Sequence, residues 1–229
     1  GAFTATISVR VYVYCYFYVP EYEILSTACW GLGVWNNMRA GTAQWNDPEG
    51  NMYWFIDEVS LMYDESLIIT YEDTCDTYFS MFDGSDDDVD MVALSELTTA
   101  SFPTYEYAHA LWATGDTNIT GEVEYYMPIH PDTCVLIERV KICNNEAVAQ
   151  TIQVGEGIDW DIPDGADGSN NQCGYDGDRQ MLYQYGPPGT PEEAYHGGAS
   201  FCHDVPGGAV FMNDIWVYDN SGYEPCEVG

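Results

Sequence analysis

Lysine and arginine are nearly missing from this chain. Only Arg10, Arg39, Arg139, Lys141 and Arg179 face 38 Asp and Glu across 229 residues, for a formal net charge of −33. Nucleic acid is therefore not an expected partner, because phosphate binding needs clustered cations. Contact with an anionic membrane surface is not expected for the same reason. No apolar run approaches the roughly 18 residues of a membrane-spanning helix, so membrane insertion is not expected either. CxxC and CxxCH spacings are missing, which removes the signatures of zinc ribbons, thioredoxin-like redox sites and c-type haem attachment. GxSxG, HExxH, P-loop and GxGxxG elements are also missing, and no long-period repeat points to a solenoid or propeller. The sequence names no reaction, and no enzymatic activity is expected from it.

What is present is aromatic and β-prone. Apolar residues make up 46% of the chain and aromatics 15%, with nineteen tyrosines, a balance that suits pleated sheets. From Phe3 to Val19 apolar and polar or tyrosyl residues alternate without a break. Such period-two alternation marks a strand with two unlike faces. At roughly 3.3 Å per residue the run would span about 55 Å, far beyond an ordinary strand. Ile7, Val9, Val11, Val13 and Phe17 line one face, and Tyr12, Tyr14, Tyr16 and Tyr18 line the other. In so acidic a chain an uncharged tyrosyl face reads as a contact surface. These nine residues are the candidate assembly positions, with residues 1–19 shared with a neighbouring subunit or gripped by the chain's own second layer.

Further strand-like runs follow at 52–62, 66–71, 77–82, 122–129, 133–143, 150–158, 181–185 and 208–218, with a single helical candidate at 105–112. Strands in series with few helices predict an all-β fold, an antiparallel β-sandwich, built as one domain over residues 1–229. Eight cysteines, Cys15, Cys29, Cys75, Cys134, Cys143, Cys173, Cys202 and Cys226, are disulfide candidates, and their even number favours an oxidising compartment. With no initiator Met, the chain reads as a mature product, extracellular or at the cell surface.

A charge of −33 repels itself unless cations bind or screen it. Bound Ca²⁺, a saline habitat and selection for solubility all fit, and Ca²⁺ is the expected cofactor. Asp159, Asp161, Asp164 and Asp167 place hard oxygen donors on a turn-rich loop, as Ca²⁺ requires, although the EF-hand register fails. Asp86, Asp88 and Asp90 offer a second, weaker set. Asp159 and Asp161 have the residue types of a glycosidase acid–base pair, but among so many acids near neighbours arise by chance. His109, His130, His196 and His203 form no recognisable triad or ligand set and read as structural. Asn118-Ile119-Thr120 is a glycosylation sequon.

The stretch 121–145, closing on Asn144-Asn145, and the stretch 151–162, closing on Asp159-Trp160-Asp161-Ile162, carry a resemblance. Together they resemble a strand-and-turn pattern in large secreted bacterial surface proteins and are similar to the supersandwich domains that accompany some glycoside-processing enzymes. The resemblance covers about a fifth of the chain. It implies an extracellular β-sandwich and carries no catalytic residue across. The expected role is a structural or adhesive subunit of an extracellular assembly, joined to copies of itself by β-strand addition. The alternative is a carbohydrate-binding or accessory module of a secreted polysaccharide-degrading enzyme, with Trp30, Trp35, Trp45 and Trp54 as its platform. A hydrolase using an acidic pair is a third reading.

Overall fold

A computed structural model describes residues 18–27, 30–41, 64–74, 76–80, 91–130, 133–159, 172–176, 178, 181–186 and 196–200. Among these there is no helix, and every strand pairing is antiparallel. The all-β expectation therefore holds for the described residues.

The first sheet has six strands. β1 (Tyr22–Ser26), β2 (Gly31–Trp35), β3 (Arg39–Gly41) and β4 (Asp64–Tyr71) follow one another across it, β5 (Thr77–Tyr78) pairs with β4, and β11 (Ile152–Asp159) closes the far side. The second sheet has five strands. β6 (Met91–Ala93) and β7 (Thr98–Ser101) both pair with β8 (Tyr105–Thr114), followed by β9 (Ile119–Pro128) and β10 (Ile137–Asn144). A third, small sheet holds β12 (Gln172–Asp176), β13 (Met181–Tyr185) and β14 (His196–Ser200).

One cluster of buried side chains draws on both larger sheets. Leu25, Leu32, Val34, Leu67, Ile69 and Tyr71 come from the first, and Met91, Ala108, Ala110, Trp112, Val123, Tyr125 and Met127 from the second. The packing alternates large against small. Register sets Trp112 opposite Gly121 and Ala108 opposite Tyr125, so each bulky ring fills the space that its small neighbour leaves.

That pattern also corrects the expected helix. Residues 105–112 belong to β8, with Ala108, Ala110 and Trp112 buried and Tyr107 and Leu111 on the other face. Alanine is the best intrinsic helix former, yet here it serves as the small partner in a sheet, and packing overrides propensity. Of the expected strand at 77–82, Thr77–Tyr78 is a strand, residues 79–80 are not, and 81–82 lie outside the described residues; the strand expected at 133–143 begins at Ile137. The expected runs at 52–62 and 208–218 lie outside the described residues.

The end of the long N-terminal run is anchored within its own chain. The Tyr18 amide donates to the Ala93 carbonyl at 3.1 Å, placing it beside β6. Three residues on, the Leu97 amide donates to Glu21 Oε1 at 2.6 Å. Fully buried Asn36, in the β2–β3 turn, donates through Nδ2 to the carbonyls of Val19 (3.3 Å) and Ser95 (3.0 Å) and accepts the Glu21 amide at Oδ1 (3.0 Å). One amide thus ties residues 19–21 to the β6–β7 connection and leaves none of its own polar atoms unsatisfied.

Candidate functional site

The five-stranded sheet turns an aromatic face outward. Period-two geometry puts Tyr105, Tyr107, His109 and Leu111 of β8 on the same side as Glu122, Glu124 and Tyr126 of β9 and Ile137, Arg139, Lys141 and Cys143 of β10. The Tyr105 ring stacks on Phe102 with centroids 4.7 Å apart. Tyr126 lies 5.6 Å from Tyr105 and 5.1 Å from Tyr107, both tilted. Phe102 (41% exposed) and Ile137 (51% exposed) flank the group.

Glu124 organises this face. Its Oε1 accepts hydrogen bonds from the hydroxyls of Tyr107 and Tyr126, each at 3.0 Å. Its Oε2 pairs with Arg139 Nη1 at 3.0 Å. Partial burial and then the Glu124 carboxylate push Tyr107 up to about 12 and raise Tyr126 from its ordinary value. Both phenols therefore stay neutral donors. One row over, Lys141 Nζ reaches Glu122 Oε1 at 3.1 Å, and His109 Nε2 lies 3.8 Å from Glu122 Oε2. The Lys141 hydrogen bond holds Glu122 below its ordinary value. In a chain with five Lys and Arg, two of them balance two glutamates on this one face.

A second constellation lies on the inner faces of both larger sheets. Glu65 of β4, Glu138 of β10 and Glu156 of β11 bring carboxylate oxygens within 4.8 Å of one another. Register sets Glu138 opposite Tyr125, Glu156 opposite Leu67 and Glu65 opposite Ile158. Burial, followed by the Glu65 charge, raises Glu138 well above the usual carboxylate range. Burial and the charges of Glu138 and Glu65 do the same to Glu156. Buried Tyr125 is raised by burial and then by Glu138, Glu65 and Glu156. Sequence reasoning missed this cluster, whose members leave a local trace but whose meeting does not. In each strand one glutamate interrupts an apolar stripe: Glu65 before Leu67 and Ile69, Glu138 before Val140 and Ile142, Glu156 between Val154 and Ile158.

Most of the expected site residues are not among those described. Ile7, Val9, Val11, Val13, Phe17, Tyr12, Tyr14 and Tyr16 lie outside the described residues, as do Asp86, Asp88, Asp90, Asp161, Asp164 and Asp167. Asp159 ends β11, and its side chain is not described. Tyr18 is 44% exposed. Asn118 sits in the β8–β9 turn, where its Nδ2 donates to Asp116 Oδ2 at 2.8 Å. Of the tryptophans named for a sugar platform, Trp35 is buried and Trp30 packs against the core. Trp45 and Trp54 lie outside the described residues.

The disulfide expectation needs one correction. Cys143 is a free, exposed thiol, because the outward side of edge strand β10 brings no second sulfur to it among the described residues. Cys134 is not a free thiol. Cys173 lies in β12, and Cys15, Cys29, Cys75, Cys202 and Cys226 lie outside the described residues. Ellman's reagent on the folded chain is expected to find Cys143 quickly, and Cys143→Ser to remove one fast-reacting thiol. An unchanged fast phase would contradict the exposure of this sulfur.

No protein-family model, curated protein or solved structure matches this chain. The functional reading therefore rests on geometry and chemistry.

Proposed function

We propose that this chain is a structural or adhesive module of an extracellular assembly, a β-sandwich of two facing antiparallel sheets that contacts copies of itself. Its contact surface is the outer face of the five-stranded sheet. The observation that carries this reading is the tethering of Tyr107 and Tyr126 to Glu124. With the hydroxyls satisfied within the chain, the face offers apolar ring surface to a partner rather than free donors to sugar hydroxyls. The interplanar angles of 54° and 57° also break up the flat platform that a pyranose ring would stack on.

Charge points to the same face. Two copies of a chain at −33 repel on approach. The cost is smallest where carboxylates are already paired, and the Arg139–Glu124 and Lys141–Glu122 pairs lie beside the rings. Strand β10 borders the face and has one neighbour, β9, among the described residues, so strand addition at its free edge would continue the contact. Secretion, disulfides and Ca²⁺ belong to the same proposal, and no catalytic residue is assigned.

Sedimentation velocity on the intact chain tests it. The wild type is expected to self-associate, and the pair Phe102→Asp and Ile137→Asp to weaken association by about 10- to 100-fold, the loss of one or two interface anchors. The variant should keep its melting temperature, since both side chains are exposed. A wild type that stays monomeric at every concentration would sink the reading. Glycan-array binding without self-association would hand the face to a sugar instead.

A further inference from the structure

We infer that Glu65, Glu138 and Glu156 form an interior site for one hard divalent cation, Ca²⁺, held by β4 and β11 of one sheet and β10 of the other. The inference is independent of the contact face, and it adds an interior Ca²⁺ site to those expected in the acidic loops.

Two separate observations carry it. The first is convergence: three strands from two sheets each break an apolar stripe with a glutamate, and the three carboxylates meet within 4.8 Å. That limit is about twice a Ca–O distance of roughly 2.3–2.6 Å, so one ion between the oxygens would reach all three groups. The second is an orphan: Glu156 Oε1 is shut away from solvent and has no hydrogen-bond partner. A carboxylate oxygen in that position lacks the ligand that would replace its lost water.

Among the described residues the groups that meet at the site carry oxygen donors. Glu65, Glu138 and Glu156 are joined there by Tyr125 from β9, and the charges of described residues that act on Glu138 and Glu156 are carboxylates. Arg39 pairs in register with Ser66, whose side chain alternates away from that of Glu65, and its guanidinium lies 4.9 Å over the Trp35 ring. Arg139 and Lys141 stand on the opposite face of β10. The oxygen donors that the described residues supply suit Ca²⁺ rather than a softer metal.

Isothermal titration of the intact chain with CaCl₂, after dialysis against chelator, tests the site. Because exposed acidic loops would also take Ca²⁺, the discriminating readout is the loss of one bound ion per chain in Glu156→Gln, with a smaller rise in Tm on adding Ca²⁺. If Glu156→Gln keeps the full ion count, the three groups are a proton-sharing carboxyl cluster and the inference is wrong. Should that variant fail to fold, Glu138→Gln on the opposing sheet is read in the same way, and a full ion count there would overturn the inference.

Discussion

Gly121→Ala is expected to destabilise the fold by about 3 kcal/mol or more, at the upper end of what overpacking costs. A Cβ at this position would lie 2.5 Å from Cζ2 and 2.7 Å from Cε2 of Trp112, and closer still to the Lys141 carbonyl oxygen. Neither neighbour can yield cheaply. Trp112 is wholly buried in the shared core, and Lys141 belongs to β10, whose pairing with β9 runs from Ile137 to Asn144. Relief would have to come from shifting β10 off β9 or expelling the indole, and both sacrifice burial across the two sheets. For a chain of this length 3 kcal/mol corresponds to a fall of roughly 6–12 °C in melting temperature. Thermal melting followed by near-ultraviolet circular dichroism, where the packed indole contributes, is the measurement. A variant melting within about 1 °C of wild type would refute the close approach of Trp112 to this backbone.

This glycine marks the boundary of what the sequence disclosed. Alternation alone located β13 at Met181–Tyr185 with its observed bounds, and found most of β4, β9 and β11. Those strands follow the regular two-residue rhythm on which such reasoning depends. It missed β2 and β3, where Gly31, Gly33 and Gly41 blur the apolar pattern. It misread β8 because alanine carries a helical preference that the pairing with Tyr125 and Val123 overrides. The aromatic face needed knowledge that β8 and β9 are neighbours. Tyr107 and Tyr126 are nineteen positions apart, and only the register places them opposite each other. The interior glutamates were hidden differently. A lone Glu in a strand reads as an exposed residue, and Glu65, Glu138 and Glu156 meet only when two sheets come together. Local pattern discloses elements, while sites depend on pairing.

Asp116 carries the other large expected effect, and with it a pH signature. Its carboxylate closes the β8–β9 turn, accepting the Thr114 hydroxyl at 2.6 Å, the Asn118 amide at 3.1 Å, Asn118 Nδ2 at 2.8 Å and the Tyr71 hydroxyl at 3.3 Å. Thr117 beside it has a φ of 63°, a left-handed conformation that a non-glycine residue holds only under local constraint. Asp116→Ala removes every one of these acceptors. The group is partly open to water, so each bond counts at the low end, and a total of about 2 kcal/mol is expected. Partial burial works against its ionisation, but hydrogen bonds from Thr114, Asn118, Tyr78 and Tyr71 outweigh it and hold Asp116 below its ordinary value of 3.8. A depressed carboxylate contributes stability that is full above the unfolded value and is lost as pH falls through the folded one. Glu138 and Glu156 have the opposite sign: raised in the folded chain, they favour folding in acid and lose that contribution as pH rises. Total stability against pH therefore mixes the two trends. The difference between wild type and Asp116→Ala cancels the shared part, provided the sites are far enough apart to be additive. That difference in unfolding free energy should be flat from neutral pH down to about pH 5 and shrink below about 3.8, once protonation removes the charge. A difference that grows in acid would mean that the carboxylate is held by burial rather than by its donors.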